Sequence, residues 1–390
     1  MEEASALERK RAIERYRNGE SPSAICKSMG RSRNWLYKWL DRFEPSDPTW
    51  AQEQSRRPVK SPARVTEATE QAVLRMRDEL ISSDVFCGAA AIHWELEARK
   101  VKPLPSVRTI NRILRRREVE PQRRTGRYVP KGKRYPLLKG EAPGAVHQSD
   151  FVGPCYLHGP VRFFSLHSVD LATSRCAVQP LLHRDAQSTI NGFWASWCRL
   201  GMPRHQQIDN DAAFYGSERH PRGLGPLLRL CLGHGIEAWF IPPAEPWRNG
   251  VVEHFNDRWQ THGPLRQEVT GFAALTVESL RFEARHNARS RYSKLRGQTP
   301  DGALAASHVR LRFPPDEKPP THPLPKPEGG RYHLVRFIRH DGVLNVFGER
   351  FPVPAEAHYE YVRATVDVAR QRLFVCVDDK VIDEHRYRLR

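Results

Sequence analysis

Three acidic residues stand where the chain could carry out metal-dependent chemistry. Asp150 lies in a short strand-like run, Asp209 ends a second one, and Glu253 lies in the first turns of a helix that opens near Gly250. Carboxylates suit Mg²⁺, a hard ion that takes oxygen ligands and keeps several waters. Two such ions about 3.5–4 Å apart hold the attacking and leaving oxygens of a phosphoryl displacement. Together the three acids are therefore the parts of a two-metal site.

Other roles are open for some of the acidic residues. Glu253 is either a metal ligand or a helix cap, because the partly positive N-terminus of a helix favours any anion. Asp211 could compete with Asp209 as the ligand, and we favour Asp209 because it ends the strand. Asp170 stands alone between two strand-like runs, so we expect it to cap the turn or to form an ion pair.

Four motifs give the chain a resemblance to a known family. They are Gln148-Ser149-Asp150, Asp209-Asn210, Pro246…Asn249-Gly250…Glu253 and the basic tail of residues 285–300. In this order they resemble the insertion-sequence transposases whose catalytic core is like that of retroviral integrases, over roughly residues 145–302. The chain departs from the family where Asp211 replaces the usual glycine and where the last two acids are unusually far apart. A Gly- and Pro-rich loop insertion over residues 217–226 accounts for the added length at small entropic cost.

The resemblance implies a DNA transposase with an integrase-like core of the DDE type. Asp150, Asp209 and Glu253 would bind two Mg²⁺ ions, with Mn²⁺ able to substitute, and the nucleophile would be water and later a 3′-hydroxyl. The implied partners are double-stranded DNA, as transposon ends and as target, and further copies of the chain in a homo-oligomer on that DNA. Residues flanking Glu253 are candidates for holding DNA at the site: Trp247, Arg248, Asn249 and His254. His254 fits an ordinary surface position equally well.

Two rival functions belong to other classes. A non-catalytic, sequence-specific DNA-binding regulator would need only the helical units described next, and Asp211 is the observation in its favour. The other rival is a plain ribonuclease-H-like nuclease. Against the nuclease stands the modular build of the chain, with helical units ahead of the core and strands behind it.

Residues 1–44 are predicted to form a helix-turn-helix unit. Ser21-Pro22 opens a second helix, Gly30 turns the chain, and Ser32 caps a third helix with an apolar face. Four polar residues are left exposed near the start of that helix, where recognition helices read base edges: Arg33, Asn34, Tyr37 and Lys38. The alternative is a plain three-helix bundle with a polar face.

A second helix-turn-helix-like unit is predicted over residues 63–118, after a Pro-containing linker. Its last helix carries arginines that could track phosphates: Arg108, Arg112, Arg115 and Arg116. A basic linker follows over residues 119–144, and from Arg99 to Lys139 fifteen Lys and Arg residues stand against two acids. So dense a run indicates a polyanion partner, the alternative being a solvated linker.

The remaining pattern predicts a multidomain α/β protein. Three antiparallel strands followed by strands that alternate with helices indicate a ribonuclease-H-like (integrase) catalytic core over residues 145–310. After a Pro-rich linker, the period changes to two, and five short strands predict a small β-barrel over residues 331–390. The barrel either binds DNA or packs against the core.

Composition limits the setting in which the protein works. The net charge is +18 over 390 residues, and no apolar run approaches the ~20 residues that a membrane span needs. The acidic start of the sequence lacks the apolar segment of a secretory signal. The seven cysteines are scattered without a Cys-x-x-Cys pair, which favours a reducing compartment. We therefore expect a cytoplasmic, nucleoid-associated protein with no membrane partner.

Overall fold

A computed structural model describes residues 2–53, 65–117, 134–157, 161–216, 222–264 and 269–390. Most of the expected basic linker over residues 119–144, and part of the expected insertion over residues 217–226, lie outside these residues. The chain separates into two compact units, Met1–Val65 and Thr66–Arg390. The unit boundaries predicted from sequence within the second of these remain predictions.

The first unit contains the three predicted helices. They are α1 (Glu2–Arg17), α2 (Pro22–Met29) and α3 (Arg33–Arg42). The side chains of Ser21 and Ser32 accept hydrogen bonds from the first turns of α2 and α3, and Gly30 ends α2 with a φ of 63°. A small core closes the unit, and it comprises Ala12, Ile13, Ile25, Cys26, Leu36 and Trp39. This is the helix-turn-helix arrangement that the cap and turn residues predict.

The second unit opens with three more helices at the predicted places. They are α4 (Glu67–Ser82), α5 (Ala89–Ala98) and α6 (Val107–Arg116). Thr66 caps α4 and Ser106 caps α6 through their side-chain oxygens, which fixes where each helix begins. The three helices bury Val73, Ile92 and Ile110 completely.

The segment predicted to be the core forms the expected layered sheet. Its strands are β1 (Val146–Tyr156), β2 (Arg162–Asp170), β3 (Cys176–Leu181), β4 (His205–Ile208) and β5 (Glu237–Phe240). Its helices are α7 (Ala186–Leu200), α8 (Ala212–Tyr215), α9 (Pro226–Gly233), α10 (Gly250–His262), α11 (Phe272–Arg289) and α12 (Pro300–Ser307). The strand order is β3-β2-β1-β4-β5, with β2 and β3 antiparallel in series and β4 and β5 parallel to β1. This order confirms the ribonuclease-H-like fold class.

Helices cover both faces of that sheet. One hydrophobic cluster joins α7, α8 and α9 to one face, with Trp197, Phe214 and Leu227 among its fully buried residues. A second cluster joins α10 and α11 to the opposite face of β1, β2 and β3, where Trp259 is fully buried. Helix α11 begins at Phe272, earlier than the predicted Thr276.

The strands expected near the C-terminus are present, but a closed barrel is not confirmed. They are β6 (Arg331–Phe337), β7 (Val343–Val346), β8 (Glu349–Pro352), β9 (Tyr361–Asp367), β10 (Arg372–Val377) and β11 (Lys380–Arg386). Strand β6 pairs in parallel with β5, and β9, β10 and β11 follow it in order, so that one sheet has nine strands. Strands β7 and β8 form a separate hairpin. Leu334 and Val366 share one core with Phe240, so extending the sheet buries their apolar face.

Across the part of the chain that the structure describes, no helix combines the length and apolarity that a membrane crossing needs.

Candidate active site

The two aspartates stand at neighbouring strands of the core sheet. Strands β1 and β4 are parallel, and their register pairs Gln148 with Gln207. Two residues further on, the same register brings Asp150 level with Asp209, which follows directly after β4. Because alternate residues of a strand share a face, each aspartate lies on the same side as the glutamine before it.

The two glutamines bind the start of α10 to this face of the sheet. Gln148 Oε1 accepts hydrogen bonds from the backbone N–H of Val251, at 3.1 Å, and of Val252, at 3.2 Å. Gln207 Nε2 donates to the carbonyl oxygen of Arg248 at 2.9 Å. The first N–H groups of a helix have no partner within the helix. Gln148 therefore satisfies them from a strand roughly one hundred residues earlier in the chain.

Asn249 fixes the same junction from the helix side. Its side chain is 2% exposed and its Nδ2 donates to the carbonyl oxygen of Ser149 at 3.1 Å. Glu253 follows in the first turn of α10 and is half-buried. The motif containing Asn249 thus holds the start of α10, the helix that carries Glu253, against the sheet, and Asn249 itself is buried in that junction.

The three acids influence one another electrostatically. Burial, followed by the charge of Asp209 and a smaller contribution from Glu253, raises the pKa of Asp150 to about 7. Burial raises the pKa of Asp209, while the hydrogen bond from the backbone N–H of Asp211 opposes the rise and the charge of Asp211 adds to it. Burial also raises the pKa of Glu253, with Asp257 and Asp209 contributing. Like charges held together out of water produce shifts in this direction.

This donor set fits a divalent cation in its chemistry. All three groups are carboxylates, the ligands that Mg²⁺ and Mn²⁺ take, and a cation among them would relieve their mutual repulsion. Among the described residues, however, no group of three His, Cys, Asp or Glu side chains is arranged closely enough to hold a metal ion. The acids are thus within electrostatic range of one another without forming a closed ligand set.

The residues after Asp209 have separate structural roles. Asp211 caps α8 by accepting from Ala213 N at 2.9 Å, and its other carboxylate oxygen pairs with Arg184 at 3.0 Å. Asn210 donates to the carbonyl oxygen of Ile241 at 2.6 Å and accepts from Arg336. Both oxygens of Asp211 are therefore in use, whereas Asp209 Oδ1 accepts one bond from the backbone N–H of Asp211.

Sequence reasoning missed two kinds of supporting residue. Gln148 and Gln207 each precede an acid by two positions, and that shared spacing is a signal that could have indicated a common face. Asn256 lies one turn beyond Glu253 on α10, and its Nδ2 donates to Asp150 Oδ2 at 2.7 Å. The signal that could have identified Asn256 is its spacing, because a polar residue three positions after an acid lies on the same side of a helix.

The predicted DNA-contacting residues differ in how accessible they are. On α3 the predicted set of Arg33, Asn34, Tyr37 and Lys38 is exposed throughout. On α6 the predicted set of Arg108, Arg112, Arg115 and Arg116 is also exposed, but Arg116 is paired with Glu70 of α4. The contacts that these residues would make with DNA remain predictions.

Near Glu253, too, some of the predicted DNA-contacting residues are exposed and others are bound within the chain. Trp247 is 44% exposed, and His254 is exposed on α10. Arg248 is already bound within the chain, because its Nε pairs with Glu245 at 2.9 Å and its guanidinium stacks 3.8 Å from the centre of the Tyr135 ring. Arg248 therefore braces the loop before α10.

Comparisons with known proteins match two parts of the chain. The family model for the homeodomain-like domain matches residues 3–48. The catalytic core domain of HTLV-2 integrase in complex with magnesium is 18% identical, with 43% of this chain and 99% of that chain covered and a TM-score of 0.31. The simian T-cell lymphotropic virus intasome, in complex with the PP2A regulatory subunit B56 gamma, is 17% identical over 80% of this chain and 97% of that chain, with a TM-score of 0.34. The BIV integrase core domain is 16% identical, with coverages of 42% and 95% and a TM-score of 0.33.

Proposed function

We propose that this protein is a DNA transposase that cleaves and joins DNA ends by metal-dependent phosphoryl transfer. The observation that carries the proposal is that Asp150 and Asp209 lie level on neighbouring strands, with Glu253 near enough for its charge to raise the pKa of Asp150. Fold alone would not give the function. The acids support this chemistry, and the homeodomain-like unit ahead of them supports DNA as the partner.

The ordinary role of an acid in a first helical turn explains Glu253 less well. A helix N-terminus lowers the pKa of an acid that caps it, because the partly positive end of the helix favours the charged form. The pKa of Glu253 is instead raised, by burial and then by the charges of Asp257 and Asp209. Another group serves the helix start, since Gln148 accepts from Val251 N and Val252 N. These two observations favour a role for Glu253 as a metal ligand over a role as a helix cap.

The residues of this chain prepare a site for that chemistry. Asp150, Asp209 and Glu253 would hold two Mg²⁺ ions, or Mn²⁺ in their place. When bound, such ions lower the pKa of an attacking water and neutralise charge on the phosphoryl oxygens. Gln148 and Asn249 hold α10 against β1, so that Glu253 and Asp150 keep their relative position as DNA enters. No side chain of the site is required as a covalent nucleophile.

The DNA-binding steps are assigned to other parts of the chain. We assign sequence reading to the exposed residues of α3 and phosphate binding to Arg108, Arg112 and Arg115 of α6, because Arg116 is paired with Glu70. Double-stranded transposon ends and target DNA are the proposed partners, bound by a homo-oligomer. The proposed location is the cytoplasmic nucleoid, because a net charge of +18 favours binding to DNA.

A strand-joining assay tests the proposal. The substrate is duplex DNA that the protein itself selects from a random library, supplied with a recessed 3′-hydroxyl so that joining does not depend on an earlier cut. Glu253→Gln keeps the size of the side chain and the helix but removes the charge, and joining should fall by orders of magnitude.

The matched control is Asp257→Asn, an exposed acid one turn further along the same helix. It should join DNA at close to the parental rate. A folded Glu253→Gln protein that joins at the parental rate would remove the metal assignment and leave a non-catalytic DNA-binding regulator as the better description. Loss of joining in both variants would instead indicate a general requirement for negative charge on α10.

A further inference from the structure

Asn256 bridges the candidate active site and the interior of the sheet. It lies on α10 three residues after Glu253, so both side chains project from one side of the helix. Its Nδ2 donates to Asp150 Oδ2 at 2.7 Å, and its Oδ1 lies 2.7 Å from Nδ1 of His167. One amide therefore contacts a strand acid on one side and a buried imidazole on the other.

The direction of these hydrogen bonds follows from what each group can donate. The carboxylate of Asp150 accepts, so the amide NH₂ of Asn256 must face it. The amide oxygen then faces His167, and an oxygen can only accept. His167 therefore donates from Nδ1, which makes Nε2 the unprotonated nitrogen of its ring.

His167 is held in this orientation by its surroundings. It lies on β2 directly opposite Asp150 in the antiparallel register, and its side chain is completely buried. Its ring packs edge-on against Phe255, with centroids 5.4 Å apart, and against Trp259 at 4.7 Å. Among the described residues its Nε2 has no hydrogen-bond partner. The imidazole thus presents one polar contact, and that contact is Asn256.

We propose that His167 and Asn256 form a positioning relay, in which His167 fixes the amide of Asn256 and Asn256 fixes the carboxylate of Asp150. The inference rests on the proposed function, because it assigns the relay to Asp150 as a metal ligand. Without the His167 donor, the Asn256 amide is free to turn and to present its oxygen to the carboxylate, which repels it. Asp150 then loses the bond that orients it.

A packing role for His167 makes a different prediction. If the ring only fills the space beside Phe255 and Trp259, any side chain of suitable volume should serve. The relay instead requires a donor at the position of Nδ1. His167→Asn keeps a donor near that position, because its amide nitrogen can occupy it, whereas His167→Leu fills space without a donor and His167→Gln carries its amide one bond further out.

The test is Mn²⁺ affinity without DNA, measured by the paramagnetic resonance signal of the free ion. Partners that orient a metal ligand typically contribute 10–100-fold to affinity, so we expect a loss of about tenfold or more in Asn256→Ala and in His167→Leu. His167→Asn should stay within about threefold of the parent on the same scale. If His167→Leu does not fold, His167→Gln takes its place, with the same loss expected.

A double-mutant cycle separates the relay from packing. If His167 acts only through Asn256, adding His167→Leu, or His167→Gln in its place, to Asn256→Ala should weaken Mn²⁺ binding no further. Additive losses, or parental affinity in the single His167 variant, would overturn the relay. Asp150→Asn tests the proposed function itself. If Asp150→Asn binds Mn²⁺ weakly while the single His167 variant binds it with parental affinity, the relay is wrong and the metal site stands. Parental binding in Asp150→Asn removes the metal site and the relay together.

Discussion

Arg258 of α10 donates from Nη2 to the carbonyl oxygen of Asp84 at 3.0 Å. The same nitrogen lies 3.2 Å from Ser290 Oγ, and the guanidinium lies 3.9 Å from the centre of the Phe86 ring. Asp84 and Phe86 belong to the turn between α4 and α5, so the helix that carries Glu253 is bound at its other end to the second helical unit. Glu95 adds to this contact by pairing with Arg291 at 2.6 Å.

This contact predicts a stability cost for Arg258→Met. The variant keeps an apolar stem in a buried position but loses the hydrogen bonds of the guanidinium to Asp84 O and Ser290 Oγ, and we expect a loss of about 2–4 kcal/mol in the free energy of unfolding. Urea unfolding measures it. The control is Arg281→Met on α11, where the arginine is 69% exposed and pairs with Glu278. That change should stay within about 0.5 kcal/mol. Equal midpoints for the two variants would contradict a structural role for Arg258.

A second prediction concerns the arginines of α6. Arg108, Arg112 and Arg115 are exposed, and changing them to Gln should weaken binding to all DNA sequences alike. The log–log slope of affinity against salt should fall by roughly 0.9 for each phosphate that the protein no longer neutralises. Fluorescence anisotropy over a range of salt concentrations measures this slope. If the triple variant keeps the parental slope, the helix does not lie along the phosphates.

Arg116 supplies the matched control on the same helix. It is bound to Glu70, which also accepts from Arg117 at 3.0 Å, and the side chain of Glu70 is 5% exposed. Arg116→Gln should therefore lower stability, because it removes a cation from a buried carboxylate. It should leave the salt slope of DNA binding nearly unchanged.

Local sequence patterns were sufficient to predict most elements of the fold. Side-chain caps such as Ser21, Thr66 and Ser106 mark helix starts because each satisfies backbone N–H groups a few residues away. The acids were found for a similar reason, since Asp209 ends a strand and Glu253 begins a helix. Caps and element ends can be recognised from the few residues around them.

The features that sequence reasoning missed depend on contacts between distant residues. The alternation in β6 predicts a strand with one buried face, but it does not say that β6 pairs with β5, and a separate barrel was the expectation. Gln148 was recognised as part of a motif, yet its bond to Val252 joins residues 104 positions apart. The same holds for His167 and Asn256. Contacts between residues so far apart in the sequence depend on how the whole core packs, and apolar residues of β6 and β5 belong to the same core.

A third prediction concerns the pH dependence of stability at Asp170, which caps the turn as expected. Burial alone would raise the pKa of Asp170, but His147, whose Nε2 lies 3.5 Å from Asp170 Oδ2, and the hydrogen bonds from Thr173 outweigh it and lower the pKa below its ordinary value. Asp170 Oδ1 accepts from Thr173 N at 2.7 Å, and Oδ2 accepts from Gly144 N at 2.8 Å. A carboxylate whose pKa is lowered by folding stabilises the protein above its unfolded pKa and loses that contribution as the pH falls through its folded pKa.

Asp170→Asn should therefore cost about 1–3 kcal/mol at pH 7, since its NH₂ group would face the N–H of Gly144. The difference from the parent should narrow as the pH falls below about 4. Urea unfolding at both pH values measures it, with Asp316→Asn as an exposed control. If Asp170→Asn lowers the free energy of unfolding equally at both pH values, the loss comes from the shape of the side chain and not from its charge.

The last prediction distinguishes Asp209 from Asp211, which sequence reasoning left as competing ligands. Asp211 N donates to Asp209 Oδ1 at 3.0 Å, while the two oxygens of Asp211 are bound to Ala213 N and to Arg184. Asp209→Asn should therefore abolish strand joining at little cost in stability, because it removes charge from the site and keeps an oxygen for the backbone bond. Asp211→Asn should join DNA at near the parental rate and lose about 1 kcal/mol of stability through the weakened cap and ion pair.

Both variants are compared in the pre-cut joining assay and in urea unfolding. Arg184→Gln supplies the control for the second, because it breaks the ion pair with Asp211 while both acids stay in place. If Asp211→Asn abolishes joining and Arg184→Gln does not, Asp211 acts on the reaction itself and the assignment moves from Asp209 to Asp211. If Arg184→Gln abolishes joining as well, the ion pair holds the loop after β4 in position, and Asp211 contributes through that loop and not as a ligand.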